Sequence, residues 1–377
     1  MLPNIIIREM AISEQGLVRA FFKRCLGFLD LLVFSIVFTD IVKSIKKQQG
    51  CCLIALQNDV IVGTMSLRML DYGRQKVGLI DAVASDKAIR GRGVASAMLT
   101  KAMEWFDARG YHDMYATVDR YNSPSWNMFI HAGFSPYEFP NHVKDFGRRF
   151  LKLWFDEGFV FGLGTFFLKK TINDKGVKPK EAPGILHLFA ACVGYSLLWW
   201  IIVLKAGIVS MDAFVAIIVV ASASLAVAEL GHVVVARARG LQTCFKAWSS
   251  GLWFMLALGL VGLVYPSYGS TYIKQEDWSY TRNRRDAGII YIAGPIVNVI
   301  VAITCHVLSI IITAGTWQIV FVLGFNMNTW LAIFNVLPIK SAGGVPFDGY
   351  KIFSWNKAAW GLVTACVACV FIMPFVI

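Results

Sequence analysis

Six long apolar segments in the second half of this sequence constrain its fold more than any other feature. A helix needs about 20 predominantly apolar residues to cross a bilayer. Residues 184–377 carry only 11 Lys/Arg and 6 Asp/Glu, whereas residues 1–183 carry 25 and 18. The sequence therefore predicts a charged half followed by a membrane half. The apolar segments cover residues 185–204, 211–236, 248–266, 288–314, 317–338 and 358–377.

The excess of basic over acidic residues bears on whether the partner is a nucleic acid or a lipid bilayer. The net charge is +12, which by itself would suit a nucleic-acid-binding protein. No basic run is interleaved with a nucleic-acid motif, however, and the excess suits loops that face anionic lipid. We therefore expect a lipid bilayer as a partner and no nucleic acid.

The basic residues also predict a topology. If residues 248–266 re-enter the membrane instead of crossing it, ten of the eleven basic residues of this half, Lys351 among them, lie on the cytosolic side, and only Lys205 faces out. That distribution satisfies the positive-inside tendency. We expect an integral protein of the cell membrane with about five spanning helices, one re-entrant segment and a cytosolic N-terminal half.

The N-terminal half reads as alternating strands and helices around turn residues. The segment Leu26–Val42 is apolar but contains Asp30 and Asp40, which favours a buried or membrane-resting helix over a spanning one. Residues 150–170 are aromatic with basic flanks, typical of a segment in the membrane interface. The boundaries predicted are 1–149 for the soluble domain, 150–183 for an interfacial segment and linker, and 184–377 for the membrane domain.

A glycine-rich run sits between a predicted strand and a predicted helix. It reads Arg90-Gly-Arg-Gly-Val-Ala95, and backbone N–H groups at such a helix N-terminus form an anion site. A second run, Asn122-Ser-Pro-Ser-Trp-Asn-Met-Phe-Ile-His-Ala-Gly-Phe134, follows it. Over roughly residues 4–145 the two runs resemble the GNAT acetyltransferase superfamily.

This resemblance implies an α+β GNAT-like domain that binds acetyl-CoA or another acyl-CoA. Many members carry a tyrosine, which acts as a general acid, where this chain has Phe129, so acyl-CoA binding is better supported than acetyl transfer. Tyr111, Tyr115 and Tyr121 are candidate substitutes, and the sequence selects none of them. The implied cofactor-binding residues are Ser85, Arg90, Gly91, Arg92, Gly93, Ala95 and Asn122.

The run Ala228-Glu-Leu-Gly-His232 ends an apolar helix in the membrane half. A zinc protease would show His-Glu-x-x-His, whose two histidines share one helix face and bind the metal. Three further runs follow: Ala293-Gly-Pro-Ile-Val-Asn298, Phe334-Asn-Val-Leu-Pro338 and Pro346-Phe-Asp-Gly-Tyr-Lys351.

In this order these runs resemble the site-2 protease family of intramembrane zinc metalloproteases over roughly residues 185–377. The resemblance implies a polytopic α-helical membrane domain that acts on a membrane-spanning protein or peptide substrate. It assigns His232 and Asp348 as zinc ligands and Glu229 as the general base. It assigns Asn298 and Asn335 more weakly, as groups that lie near the substrate or that contact the zinc ligands.

The sequence departs from that pattern at the metal. Ala228 stands where a zinc-ligand histidine is expected, and a catalytic zinc site usually has three protein ligands. We therefore expect zinc binding to be weak or absent and the chain as written to be hydrolytically inactive. The interval from Asn335 to Asp348 is also long, through residues 341–344.

Three functional hypotheses follow. The first is a site-2 protease, inactive as written, with a GNAT-like domain fused in front. The second is a catalytically dead membrane protein that senses acyl-CoA and holds a helix without cutting it. The third is a membrane-anchored N-acetyltransferase, which is ranked last because an anchor needs no Glu229, His232 or Asp348.

Overall fold

The computed structural model describes residues 5–73, 75–172, 181–208, 210–274, 280, 282–341 and 344–376. Residues 173–180 of the predicted interfacial segment and linker 150–183 lie outside them. The chain divides into two compact units. The first contains the chain through Asp119 together with Pro124–Phe159 and Phe166–Glu181. The second contains Arg120–Ser123, Val160–Thr165 and Ala182–Ile377.

The first unit is built on a seven-stranded sheet with the order β1-β2-β3-β4-β5-β7-β6. Its strands are β1 (Ile5–Glu9), β2 (Gly50–Gln57), β3 (Val60–Asp71), β4 (Lys76–Ser85), β5 (Asp113–Asp119), β6 (Ser135–Pro136) and β7 (Thr165–Thr171). The helices of this part of the chain are α1 (Gln15–Cys25), α2 (Phe28–Lys46), α3 (Val94–Asp107), α4 (Ser123–His131), α5 (Phe139–Phe146) and α6 (Phe150–Glu157).

Strand β2 shows why the sheet is covered on both faces. Its residues are apolar without alternation, and successive side chains of a strand point to opposite faces. Cys51, Leu53 and Ala55 enter one core, which α3 also lines. Cys52 and Ile54 enter the other core, with buried side chains of α1 and α2.

Strands β4 and β5 pair in parallel only over their first halves. The ladder ends at the pair Ile80–Ala116, although β4 continues to Ser85 and β5 to Asp119. The second halves therefore do not pair with each other, and they leave an opening in the sheet between β4 and β5.

The aromatic segment 150–170 differs from its predicted role. It contributes α6 and most of β7 to the sheet unit, and its Leu153, Trp154 and Phe167 are buried in that unit. The sheet consequently extends beyond the predicted boundary at residue 149. Phe150, Trp154, Phe159 and Phe167 of this segment are buried, and composition alone does not distinguish such burial from membrane contact.

The second unit is helical. Among the residues that the structure describes, five helices are long and apolar enough to cross a membrane, and the predicted fold class is confirmed. They are α7 (Gly184–Lys205), α8 (Met211–Ala238), α10 (Arg284–Tyr291) continued by α11 (Ala293–Ile311), α12 (Gly315–Val336) and α14 (Lys357–Val376). The short helix α13 covers Asp348–Trp355.

The predicted re-entrant segment 248–266 forms one short helix, and a strand lies on each side of it in the sequence. Strands β8 (Thr243–Ala247) and β9 (Gly269–Ile273) pair antiparallel and enclose α9 (Ser249–Leu260). At 1.5 Å per residue, the 12 residues of α9 give about 18 Å, which is short of the bilayer core.

Candidate functional site

Glu229 and His232 lie on α8, one helical turn apart, and both are buried. His232 Nδ1 is 3.3 Å from Glu229 Oε2. Residues three and four apart share a helix face, so position 228 belongs to the same surface. Ala228 is fully buried there and offers only a methyl group.

Asp348 is the first residue of α13, and its Oδ2 lies 3.8 Å from Nε2 of His232. The following glycine explains why α13 can start here. A Cβ on Gly349 would lie 2.3 Å from the carbonyl carbon of Val336 at the end of α12. The Asp-Gly pair thus brings a carboxylate to α8 because its second residue has no side chain.

Gly294 plays a similar role on the other side of His232. A Cβ on Gly294 would lie 2.5 Å from Nε2 of His232, so only glycine lets the imidazole pack this close to α11. Asn298, one turn further along α11, is fully buried. Among the described residues, neither the nitrogen nor the oxygen of its amide has a hydrogen-bond partner. His232 Nε2 also has no hydrogen-bond partner among these residues.

The hairpin strand β9 reaches Glu229 from the re-entrant segment. Thr271 donates a hydrogen bond from Oγ1 to Oε2 of Glu229. Glu229, the predicted general base, is therefore held in place by β9. Asn335, near the end of α12, is buried.

Lys351 is a residue of this site that sequence reasoning missed. Its ammonium donates to Oδ1 of Asp348 at 2.9 Å, and its side chain is fully buried. Lys351, which the predicted topology counts among the cytosolic basic residues, is therefore a buried member of α13 and not a charge that faces lipid. Lys246 is buried as well, whereas the other eight basic residues predicted to be cytosolic are exposed.

The residues present do not complete a zinc site. Two predicted ligands, His232 and Asp348, converge, but Ala228 supplies no third donor. Within the described ranges, no group of three or more His, Cys, Asp or Glu side chains is placed to hold a metal ion. The other histidines of this half do not help, because His187 lies 3.1 Å from Lys246 Nζ and His306 packs on Phe325.

The predicted phosphate loop precedes α3 in the first unit. Gly91 and Gly93 have φ of 78° and 80°, a region that favours glycine. A Cβ on either would meet nothing within 4 Å, so the backbone, not packing, requires glycine here. Arg90 and Arg92 are exposed beside the loop, and Gly93 has no side chain to cap the first N–H groups of α3.

The other predicted cofactor residues are more dispersed. Ser85 ends β4 and Ala95 lies in the first turn of α3. Asn122 is exposed and belongs to the second unit.

Phe129 is buried against Phe134. Of the candidate tyrosines, Tyr115 is buried and Tyr121 has its hydroxyl engaged within the second unit. Tyr111 is partly exposed.

A polar cluster lines the opening between β4 and β5. Arg68 forms a two-point ion pair with Asp81 at 2.6 and 2.5 Å. Glu157 accepts a hydrogen bond from Thr117. Burial raises the pKa of Glu157 to about 8, against the lowering effect of the Thr117 hydrogen bond.

Comparison with known proteins finds a matching family for each half of the chain. The model of the acetyltransferase (GNAT) family matches residues 18–134, and that of peptidase family M50 matches residues 215–315. A Methanocaldococcus jannaschii protein described as a "Putative zinc metalloprotease" is 37% identical over 139 residues, which cover 36% of this chain and 67% of that protein. The chain belongs to peptidase family M50. A GNAT-family domain precedes its peptidase domain, so both predicted resemblances are confirmed.

Solved structures of similar proteins include a GNAT-family acetyltransferase from Streptococcus pneumoniae, with 17% identity and a TM-score of 0.31 over 45% of this chain and 100% of that one. Another is the PaiA N-acetyltransferase from Thermoplasma acidophilum in complex with coenzyme A, with 11% identity and a TM-score of 0.33 over 45% of this chain and 99% of that one.

M50 peptidases are zinc-dependent and act on membrane-embedded substrates. Together with the five apolar helices, the family makes this chain an integral membrane protein. The family match ends at residue 315, before Asn335 and Asp348.

Proposed function

We propose that this chain is an intramembrane metalloprotease of family M50 that is hydrolytically inactive as written, because Ala228 replaces a zinc-ligand histidine. The observation that carries the proposal is the buried methyl group of Ala228 on the helix face of Glu229 and His232. Two protein ligands hold zinc poorly, since catalytic sites supply three.

The retained residues favour a peptidase site over a mere anchor. The side chains of Glu229 and His232 are buried, and that of Asp348 is nearly so. His232 lies within 4 Å of both carboxylates. Ionisable groups at membrane depth are expensive and mark function by default. The buried amide of Asn298 has no hydrogen-bond partner among the described residues, and a substrate backbone would satisfy it.

The proposed role of the GNAT-like domain is to bind acetyl-CoA or another acyl-CoA. Support comes from the left-handed Gly91 and Gly93, the exposed Arg90 and Arg92, and the uncapped start of α3. The buried Phe129 and the engaged Tyr121 hydroxyl favour binding over acetyl transfer.

We also propose a cytosolic N-terminal half. Lys246 and Lys351 are buried, so they are not counted among the basic residues that face the cytosol in the positive-inside comparison. The eight remaining basic residues of the membrane half are exposed, and they still outnumber Lys205 in the predicted topology.

Zinc bound per chain tests the proposal, measured by elemental mass spectrometry on the full chain and on Ala228→His. We expect little zinc in the chain as written and about one ion per chain in Ala228→His. Ala228→His combined with His232→Ala is the matched control, because it again has only two ligands. We expect Ala228→His, and neither of the other proteins, to cleave a membrane-spanning peptide.

Two outcomes would contradict the proposal. Stoichiometric zinc in the chain as written would mean that a third ligand exists. Zinc-free Ala228→His protein would mean that the membrane unit has lost its metal chemistry, and the catalytically dead binding protein would then be the better hypothesis.

A further inference from the structure

Helix α6 of the first unit has two apolar faces, and only one of them is buried. The buried face is formed by Phe150, Leu153 and Trp154. On another face Leu151 and Phe155 lie four residues apart, one turn above each other, and they are 38% and 62% exposed. Exposed apolar side chains that cluster beside polar ones mark a surface that binds a partner. The second face of α6 is therefore a candidate interaction surface.

Basic residues accompany the exposed apolar pair. Lys152 follows Leu151 on α6, and Arg148 precedes it by three residues, in the single turn of 3-10 helix Gly147–Arg149 that leads into α6. Positions 148, 151, 152 and 155 have the i, i+3, i+4, i+7 spacing of one helix face. We refer to Arg148, Leu151, Lys152 and Phe155 as the outer face of α6. This face combines two basic side chains with two large apolar ones.

The charges of residues 139–157 are sorted by their exposure. The four basic residues are all exposed, namely Lys144, Arg148, Arg149 and Lys152. The three acidic residues are partly buried, and their carboxylates accept hydrogen bonds from within the first unit: Asp145 from Tyr137, Asp156 from Tyr72 and Glu157 from Thr117. Asp156 also lies 3.5 Å from Lys152, a surface pair that water and salt weaken. The surface that a partner would meet is consequently positive.

An anionic lipid surface fits this combination of side chains. Aromatic and leucine side chains of an interfacial helix enter the boundary between headgroups and acyl chains. Long basic side chains place their charged ends at the headgroups while their stems lie along apolar surface. The spanning helices hold this chain in a bilayer, so lipid is present near the first unit at a high effective concentration. Even a weak lipid-binding surface would therefore be occupied.

We propose that the outer face of α6 binds an anionic lipid surface. Leu151 and Phe155 enter the headgroup boundary, and Arg148 and Lys152 contact lipid phosphates. One face of the aromatic segment thus builds the first unit, while the other face attaches that unit to the membrane. The proposal requires neither zinc nor acyl-CoA, so its test is independent of the proposed function.

The experiment places a photoreactive residue on this face of the full chain, as Phe155→p-benzoylphenylalanine. The protein is reconstituted in nanodiscs of phosphatidylcholine alone, or of phosphatidylcholine and phosphatidylserine in equal amounts. After irradiation, mass spectrometry measures the fraction of chains that carry a phospholipid adduct at position 155. We expect about fivefold more adduct, or a larger excess, when phosphatidylserine is present. High salt should remove this excess, because it screens exposed charges.

The matched control carries the same photoreactive residue in place of Val60. This side chain is 48% exposed in the same unit, but it follows the acidic Asp59 in the sequence. We expect little phospholipid adduct at position 60, with no more than a twofold difference between the two lipid compositions.

Charge reversal tests the basic part of the outer face. In the chain that carries the photoreactive residue at position 155, Arg148→Glu combined with Lys152→Glu should lower the phosphatidylserine-dependent adduct about tenfold or more. Arg148→Glu alone should lower it about fivefold, which keeps the test valid if the double variant is unstable. Lys23→Glu combined with Lys101→Glu is the control, because both lysines are exposed elsewhere in the first unit, and we expect a change of less than twofold.

Three results would overturn the proposal. The first is an adduct at position 155 that is no more abundant than the adduct at position 60. The second is an adduct whose amount does not depend on phosphatidylserine or on Arg148 and Lys152. The third is a crosslink at position 155 that joins mainly two copies of the chain, which would assign the outer face of α6 to self-association.

Discussion

The buried pair Lys351–Asp348 makes a sharp prediction for stability. Replacing Lys351 by Met keeps most of the aliphatic volume but removes the partner of Asp348, whose side chain is only 14% exposed. Removing one member of a buried ion pair typically destabilises a protein by about 3 to 5 kcal/mol, because the other charge stays buried and unpaired. The lost contacts to Tyr121 and Tyr291 act in the same direction.

Removing both charges should be milder. In Lys351→Met combined with Asp348→Asn no uncompensated charge is left, and replacing a whole buried pair is often close to neutral. We expect the double variant to recover at least half of the loss seen for Lys351→Met alone. The control is Lys205→Met, an exposed lysine at the end of α7, for which about 0.5 kcal/mol or less is expected.

The assay is reversible equilibrium unfolding of the full chain in mixed detergent and SDS micelles, followed by tryptophan fluorescence. The reasoning would be refuted if Lys351→Met changed the free energy of unfolding by less than about 1 kcal/mol, the level at which exposed pairs contribute. It would equally be refuted if the double variant were less stable than Lys351→Met alone, since the loss would then not come from an unpaired Asp348.

Two further predictions concern the first unit. Burial raises the pKa of Glu157 to about 8, so between about pH 4.5 and 8 the folded chain holds a proton that the unfolded chain releases, and this contribution to stability is lost as pH rises through 8. Melting temperatures at pH 5 to 8.5 should therefore show a smaller fall with pH in Glu157→Gln than in the chain as written, with exposed Glu104→Gln as control; equal slopes would contradict the assignment. Gly93→Ala should destabilise the chain by about 1–2 kcal/mol through its φ of 80° and weaken acetyl-CoA binding. Gly110→Ala, at a φ of 73° with equally open surroundings, should show a similar stability loss with unchanged affinity, and a Gly93→Ala protein with full affinity would argue against the phosphate loop.

The spanning helices and most of the sheet were predictable because their signals are local. Hydropathy over a 20-residue window marks a span, whatever the segment packs against. Strand β5 (Asp113–Asp119) and helix α4 (Ser123–His131) belong to the alternation of strands and helices that the sequence of the N-terminal half predicts. The segment 150–170 was not predictable, because aromatic and basic residues serve equally well in a membrane interface or in α6 and β7.

What the sequence determined by itself about the site is its motif chemistry. Glu229 and His232 share a face because they are three residues apart on one helix, and the missing ligand at Ala228 is visible for the same reason. Only the tertiary structure decided that Lys351, which in the sequence is one more basic residue, is buried on Asp348, and that Tyr121 holds it. The physical reason is sequence distance: a lysine is buried only when carboxylate, hydroxyl and aromatic partners converge on it, and here they come from β9, α10, α13 and a segment 230 residues upstream.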